Sequence, residues 1–317
     1  MAPSSPLSLA SVQQAHARIR PWILRTPLIR STHRGAWLKL ENLQHTGAYK
    51  IRGALNALLI QKEAGDSRPV VAASAGNHGA GVAWAAHKLG LQAIVAVPKN
   101  APKSKINRIT KLGAQVVLHG DNFDECLVWA QRKARERDWR LLHAFDDPDV
   151  IAGQGTIALE MLALNPDVVV VPIGGGGLAA GHALVLRETG IRLIGVQVEG
   201  VDAMASAIRG GPTRIEPCRS VADSLRVREA GLLTRTLCEE VLDDIVLVSE
   251  EATINAMRSL ASRERIRAEG AGAVTIAALD QIRGHRRIAL VSGGNTDLEF
   301  GQLRVPIRTT GLLHQIN

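Results

Sequence analysis

The stretch VVVVPIGGGGL (residues 168–178) decides the fold, because it has the pattern of a strand that runs straight into a glycine turn. Consecutive valines without alternating polar residues are typical of a strand buried on both faces, as in a parallel sheet. The next stretch, AAGHAL (residues 179–184), has the small and apolar residues of a closely packed helix. Parallel strands are joined by crossover helices that cover the sheet. This stretch therefore predicts an α/β fold.

Short apolar runs of the same kind recur along the chain and alternate with longer helical patterns. They are VVAA (70–73), AIVAV (93–97), AQVVL (114–118), LIGVQV (193–198) and IALV (288–291). Several of these runs end in turns rich in Gly or Ser. Ligands of open α/β sheets bind beyond the carboxyl ends of the strands. The sequence therefore predicts open parallel sheets whose strand ends converge on one site.

Composition and charge exclude several classes of protein. The chain has 317 residues, is 46% hydrophobic and carries a net charge of +8. The densest basic cluster, residues 131–137, has a helical pattern with interleaved acids, so we interpret it as a solvated helix face and not as a nucleic-acid site. The three cysteines, Cys126, Cys218 and Cys238, form no CxxC pair, which argues against a disulfide framework or a zinc site. No secretory signal or membrane span is recognisable, so a cytoplasmic location is expected.

The four glycines at 174–177 are the strongest chemical signal. Successive N–H groups without Cβ atoms can wrap an anion at a helix N-terminus. The loop is neither GxGxxG with a ribose-binding acid nor a Walker A loop, since no Lys-Ser/Thr follows it. A plain flexible loop is the alternative, but four glycines are costly in entropy unless the backbone must be reached. The tetrad therefore predicts a phosphate site.

Lys50 lies in the motif TGAYKIRGA (residues 46–54), between a tight turn and an apolar helical run. Taken alone, such a lysine is an ordinary surface residue. In a desolvated pocket its pKa would fall, and a neutral amine can form a Schiff base. The turns SAGNHG (74–79) and SGGN (292–295) and the stretch AEGAG (268–272) could each be a plain turn or helix start. Together, the amine, the phosphate loop and these turns predict pyridoxal 5'-phosphate (PLP).

At this point the sequence resembles a known family, the serine/threonine dehydratases and serine racemases. The resemblance rests on the motifs above and on GQGT (residues 153–156), in the same order, and covers about Ile19 to Leu298. It implies the α/β architecture of fold-type II PLP enzymes, which are related to tryptophan synthase β and have two open, mostly parallel sheets flanked by helices. It also implies a large domain (1–68 and 146–317), a small mobile domain (69–145) and a homodimer or homotetramer.

The resemblance implies a role for each matching residue. Lys50 would bind the cofactor covalently and move the α-proton. Asn77 would bind the phenolic oxygen of the cofactor, Ser292 would face its ring nitrogen, and Gly174, Gly175, Gly176 and Gly177 would hold its phosphate. Ser74, Asn77 and His78 would receive the substrate carboxylate. The implied reaction is β-elimination from a β-hydroxy-α-amino acid, first of all L-threonine or L-serine, to a 2-oxo acid and ammonia.

Four departures from the family pattern bear on the reaction and its ligands. Racemases carry a second serine where this chain has Ala75, so dehydration is favoured over racemisation. The family's divalent-cation site uses an Asp where this chain has Ala205, which leaves a metal site uncertain, with Asp202 as the alternative ligand. Ser224 stands where the family usually has Gly, and Tyr49 where it usually has Phe, which is compatible with another substrate such as 3-hydroxyaspartate. A PLP-binding sensor or carrier without turnover is the non-enzymatic alternative.

Overall fold

The computed structural model describes residues 7–217 and 219–297 of the chain, so Cys218 and Leu298 lie outside the described residues. The strands are β1 (Leu28–Arg30), β2 (Trp37–Leu40), β3 (Val70–Ala73), β4 (Ala93–Val97), β5 (Gln115–Leu118), β6 (Arg140–Leu141), β7 (Val168–Pro172), β8 (Arg192–Val198), β9 (Asp244–Val248) and β10 (Arg287–Val291). The helices are α1 (Leu9–Ile19), α2 (Ile51–Glu63), α3 (Asn77–Leu89), α4 (Lys103–Lys111), α5 (Phe123–Arg137), α6 (Pro148–Met161), α7 (Gly177–Leu186), α8 (Ala203–Ile208), α9 (Leu232–Val241), α10 (Glu250–Ser259) and α11 (Gly270–Ala277).

The larger sheet has six strands in the order β1-β2-β10-β7-β8-β9. All of its pairs are parallel except β1 with β2, which are antiparallel. The positions of the four valines of β7 explain why no polar residues alternate with them in the sequence. Val168 and Val170 pack into the core on one face of the sheet, and Val169 and Val171 pack into the core on the other. The prediction of a strand buried on both faces is confirmed.

The smaller sheet has four parallel strands in the order β5-β4-β3-β6. All four come from residues 70–141, between which α3, α4 and α5 form the crossovers. The basic cluster at 131–137 lies on α5, where Arg132, Arg135 and Arg137 are exposed, as expected for a solvated helix face. The α/β fold with two mostly parallel sheets is thus present as predicted.

A buried ionic network ties α2 to the larger sheet. Arg52 is fully buried and donates to both oxygens of Glu41, at 2.8 and 2.7 Å, and to Glu160 Oε1 at 2.7 Å. Glu160 also accepts from Lys39 Nζ at 2.5 Å. Because buried charges are tolerated only when they are paired and hydrogen-bonded, this network fixes the relative positions of β2, α2 and α6.

In the part of the chain that the structure describes, no helix combines the length and the apolar character needed to cross a bilayer. Cys126 and Cys238 are buried free thiols.

Candidate active site

A cavity of about 430 Å³ is lined by residues that follow strands of both sheets and by residues that begin helices. Its wall contains eight of the nine residues that the sequence predicts for the site, and only Ser292 is absent from it. The eight are Lys50, Ser74, Asn77, His78, Gly174, Gly175, Gly176 and Gly177. Because these residues come from distant parts of the chain and converge on one space, the cavity is the candidate active site.

Lys50 immediately precedes α2, and its side chain reaches the cavity. Lys50 Nζ donates to the Ala144 carbonyl at 2.8 Å and lies 5.4 Å from the centre of the Tyr49 ring. Desolvation of the ammonium group lowers the pKa of Lys50 from 10.5 to about 8. A larger share of this amine is therefore neutral near physiological pH than for an ordinary lysine, which suits a nucleophile or a base.

The glycine loop joins β7 to the N-terminus of α7. Gly176 has φ +94°, a left-handed conformation that favours glycine, and the Gly175 carbonyl accepts from Thr234 Oγ1 at 2.6 Å. The first-turn N–H groups of a helix have no partners within the helix, so this end of α7 can bind an anion. Thr234 is a site residue that the sequence did not reveal, because nothing in its own neighbourhood marks it.

Phe145 is the second residue that sequence reasoning missed. A Cβ built at Gly175 would lie 2.4 Å from the Phe145 ring, and one at Gly177 would lie 2.8 Å from the Phe145 carbonyl oxygen. These glycines are therefore needed for close packing against Phe145 as well as for access to the backbone. The neighbouring carbonyls of Leu142 and Ala144 hold His78 and Lys50, so residues 142–145 support the site from one side.

Asn77 links three of the predicted motifs. Its Nδ2 donates to Glu269 Oε1 at 2.6 Å, and its Oδ1 accepts from Asn295 Nδ2 at 2.8 Å. Asn295 Nδ2 also donates to the Thr46 carbonyl at 2.8 Å. The turns that begin at Ser74 and Ser292 and the loop before Lys50 are thus joined by one chain of amides that ends on a buried carboxyl group.

Ser74 and His78 both lie on the cavity wall, but their side chains make different hydrogen bonds. The Ser74 hydroxyl accepts from the Gly76 N–H at 3.1 Å. His78 Nε2 lies 3.1 Å from the Leu142 carbonyl, which requires the hydrogen to be on Nε2. Burial, with the charge of Lys50, lowers the pKa of His78 to about 3, so the ring is neutral. Its Nδ1 then carries only a lone pair, and a donor from His78 to a carboxylate would be its backbone N–H.

Ser292 lies behind the cavity wall. It is 3% exposed, its hydroxyl donates to the Ala271 carbonyl at 3.1 Å, and its own carbonyl accepts from the Tyr49 N–H at 3.1 Å. The structure thus places Ser292 next to the residue that precedes Lys50. Its contact with a ring nitrogen stays a prediction.

The uncertain cation site has no complete set of ligands in the described part of the chain, where no three His, Cys, Asp or Glu side chains are grouped as metal ligands. Ala205 is buried in the core beside the larger sheet, and its N–H donates to Gln197 Oε1 at 2.8 Å. Since the Ala205 side chain has no ligand atom, it cannot supply the carboxylate that the resemblance places at this position.

Comparison with known proteins identifies the family. A family model described as pyridoxal-phosphate dependent enzyme matches residues 19–294. The chain belongs to this family. It is 40% identical over 311 residues to the catabolic L-threonine dehydratase TdcB of Staphylococcus aureus, and the match covers 92% of this chain and 90% of that protein.

Solved structures of related enzymes share the fold. The T.th. threonine deaminase superimposes with a TM-score of 0.85 at 37% identity, covering 92% of this chain and 99% of that one. Maize serine racemase gives a TM-score of 0.88 at 31% identity, covering 93% and 95%. The fold-type II architecture expected from the sequence is confirmed.

The residues of the cavity fit PLP, the cofactor of this family. Lys50 supplies an amine whose pKa is lowered by burial, and the N-terminus of α7 supplies backbone donors beside a loop without side chains. An aldehyde and a phosphate are the two groups that such a site can hold. Which atoms of PLP each residue contacts stays a prediction.

Replacing Gly175 with alanine should weaken PLP binding. The new methyl group would overlap the Phe145 ring, and relief of the overlap would shift the loop at a cost of about 1–3 kcal/mol, or roughly 5- to 150-fold in affinity. Gly284→Ala is the matched control, since its Cβ would also overlap a side chain, that of Val168 at 2.8 Å, but Gly284 lies outside the cavity lining. Fluorescence titration of the apoprotein with PLP measures the difference. Equal dissociation constants for wild type and Gly175→Ala would contradict this account of the loop.

Replacing Glu269 with glutamine should flatten the pH dependence of stability. Burial, together with the charge of Asp223, raises the pKa of Glu269 from 4.5 to about 8, while Asn77, Lys105 and Arg108 act in the opposite direction. Between these two pH values the native protein holds a proton that the unfolded chain releases. The free energy of unfolding therefore falls as the pH rises through this range, by at most about 1.4 kcal/mol per pH unit.

Urea unfolding of wild type and Glu269→Gln at pH 6, 7 and 8 tests this expectation. The glutamine variant should lose less stability over the range, whereas Glu239→Gln, at an exposed position on α9, should behave like wild type. Parallel pH curves for all three proteins would show that Glu269 does not bind the extra proton.

Proposed function

We propose that this chain is a PLP-dependent ammonia-lyase that converts L-threonine to 2-oxobutanoate, or L-serine to pyruvate, with release of ammonia. The observation that carries the proposal is the Lys50 amine, with a pKa lowered to about 8, on the wall of a cavity that also holds the glycine loop. The names of the similar proteins, L-threonine dehydratase and threonine deaminase, support the same reaction.

The residues of the chain can each perform a part of this reaction. PLP, when bound, supplies an aldehyde for the substrate amine and a conjugated ring that accepts electrons from the α-carbon. The first turn of α3, at Asn77 and His78, faces the cavity with N–H groups that can bind the substrate carboxylate. Lys50 then takes the α-proton, and the Ala144 carbonyl accepts a hydrogen bond from the resulting ammonium group.

Loss of the β-hydroxyl completes the elimination. Overall, the α-proton that Lys50 takes and the departing β-hydroxide leave as one molecule of water, and the substrate becomes an enamine. Hydrolysis of the imine form of this enamine then gives the 2-oxo acid and ammonia. The glycine loop and the Asn77 amide would hold the cofactor during these steps. Ser292 would donate to the ring nitrogen, and this needs its hydroxyl hydrogen to leave the Ala271 carbonyl.

Racemisation is the reaction of some structural relatives, and one residue argues against it here. Ala75 lies on the cavity wall and has no titratable atom. A racemase needs a second acid or base on the opposite face of the substrate, and the resembling racemases have a serine at this place. We therefore favour elimination over racemisation.

Purified protein loaded with PLP and given a panel of amino acids tests the proposal. L-Threonine and L-serine should release ammonia and a 2-oxo acid in equal amounts, with slower release from 3-hydroxyaspartate. Formation of D-serine as fast as ammonia would favour the racemase, and absence of product from every amino acid would favour a sensor or carrier. Preference for 3-hydroxyaspartate would assign the alternative substrate.

We also propose that residues 69–145 form a small mobile domain that closes over the substrate. Contacts around the cavity support this proposal, because Asp124 of α5 pairs with Arg214 and Arg228, and Lys105 of α4 pairs with Asp223. Hydrogen–deuterium exchange of residues 213–228 should slow when an unreactive substrate analogue is added. A homodimer or homotetramer remains the expected assembly, which sedimentation equilibrium would measure.

A further inference from the structure

The helix that follows Lys50 begins without a capping side chain of its own. Lys50 occupies the N-cap position of α2, and a lysine side chain has only hydrogen-bond donors. The first-turn N–H groups of a helix nevertheless need acceptors when they are buried. The Gly53 N–H donates to Gln154 Oε1 at 3.3 Å, so the acceptor comes from another helix, α6.

The GQGT motif (residues 153–156) has the shape needed for this contact. A Cβ at Gly153 would lie 2.6 Å from Gly53 Cα, and a Cβ at Gly53 would lie 2.4 Å from Gln154 Nε2. Glycine at both positions lets α6 approach the start of α2 closely enough for the Gln154 side chain to reach it. Gln154 is 1% exposed, so bulk water does not compete for its oxygen.

The acceptor at this helix start is uncharged, whereas a carboxylate would gain additional attraction from the helix dipole. Here a carboxylate would lie one helical turn from Lys50, and an opposite charge nearby favours the ammonium form of a lysine. A glutamine supplies the acceptor without adding this charge.

The charged and titratable neighbours leave the Lys50 amine without a negative partner among the described residues. His78 on α3 and His143 after β6 face it; desolvation lowers the pKa of each ring, and neither ring can supply a negative charge. On the other side, Arg52 is paired with Glu41 and Glu160.

We propose that Gln154 is a positioning residue for Lys50, whose neutral amide fixes the first turn of α2 without placing a negative charge at the helix start that carries this lysine. This inference rests on the proposed role of Lys50. The GQGT motif takes no part in the phosphate loop or in the Asn77 network, and this inference gives the motif a role of its own.

The test is the pH dependence of the covalent reaction between PLP and Lys50 in the apoprotein. Brief incubation with PLP and borohydride at pH 6 to 10, followed by mass spectrometry of the peptide that contains Lys50, measures the midpoint without any turnover. In Gln154→Glu the midpoint should rise by about one pH unit. Gln61→Glu is the matched control, because Gln61 is a buried glutamine of α2 that lies about 16 Å from Lys50 along the helix axis.

A second variant separates the charge from the hydrogen bond. Gln154→Met keeps much of the volume but removes the acceptor, so its midpoint should stay at the wild-type value while kcat falls about tenfold for the loss of one buried hydrogen bond. Thermal unfolding of all three variants shows whether they fold. If Gln154→Glu does not fold, unchanged kcat in Gln154→Met overturns the inference.

An unshifted midpoint in folded Gln154→Glu, or an equal shift in Gln61→Glu, would also overturn it. Failure of the proposed function gives a different result, since PLP would then be fixed at a residue other than Lys50 in the wild-type protein.

Discussion

Replacement of Lys50 by alanine is expected to remove the covalent attachment of PLP and to lower turnover of L-threonine or L-serine by ~10⁴-fold. The variant loses both the amine that binds the aldehyde and the base that takes the α-proton. The Ala144 carbonyl and the cavity wall remain, so the protein should still fold and still bind PLP without a covalent bond. Absorbance of the bound cofactor, borohydride fixation and ammonia release measure the three consequences.

Lys62→Ala is the matched control for this experiment. Lys62 lies on the same helix and also donates to a backbone carbonyl, that of Leu89, at 2.9 Å. Its loss removes one lysine and one hydrogen bond of the same type far from the cavity, so turnover and cofactor fixation should stay at the wild-type level. Full activity in Lys50→Ala would refute the role of Lys50.

Replacement of Arg52 by methionine is expected to reduce the free energy of unfolding by about 3–5 kcal/mol. The substitution leaves Glu41 without a cationic partner and removes one of the two partners of Glu160, and both carboxylates stay buried. A buried carboxylate without a partner keeps its desolvation penalty and loses the compensating attraction. Urea unfolding of the apoprotein measures the change.

The effect of Arg52→Met should also depend on pH. The charge of Arg52 is one of the causes that lower the pKa of Glu160, so Glu160 should bind a proton more readily in the variant, and part of the lost stability should return as the pH falls from 8 to 5. Arg187→Met is the control, since the Arg187–Glu240 pair is exposed and such pairs contribute ~0–1 kcal/mol. Equal losses for both variants would mean that burial of the Arg52 network does not matter.

Arg52 and Gln154 act on the same short helix start. Arg52 fixes α2 to Glu41 and Glu160, and Gln154 caps its first turn. The lysine proposed to bind the cofactor therefore stands at the start of a helix that is held from two sides. The residues just after Lys50 therefore contribute to the site by holding the start of α2 in place.

Much of the fold could be predicted from residues that are neighbours in the chain. The run of valines at 168–171 is recognisable because each valine faces one of the two cores, and the sequence shows this directly as an absence of polar alternation. The glycine tetrad is also recognisable from the sequence alone. Four consecutive residues without side chains indicate a backbone that a ligand or another part of the chain approaches closely. The role of Lys50 is predicted from its own motif together with the Gly- and Ser-rich turns elsewhere in the sequence.

Other parts of the site depended on contacts between distant residues. Asn77 and Glu269 are 192 positions apart, and no local pattern indicates that the amide of one meets the carboxyl group of the other. Phe145, Thr234 and the role of Gln154 were missed for the same reason, because each acts on a residue of another element. Ser292 was expected at the cofactor ring, but the tertiary structure gives its hydroxyl the Ala271 carbonyl as a partner.

The sequence by itself determined the class of fold, the cofactor and the lysine expected to bind it, because strand periodicity, glycine turns and an isolated amine are local properties of the chain. Only the tertiary structure decided the pKa of Lys50, the neutral state of His78 and the proton held by Glu269. These properties are set by desolvation and by charges from other elements, and a group has neither until the chain has folded around it.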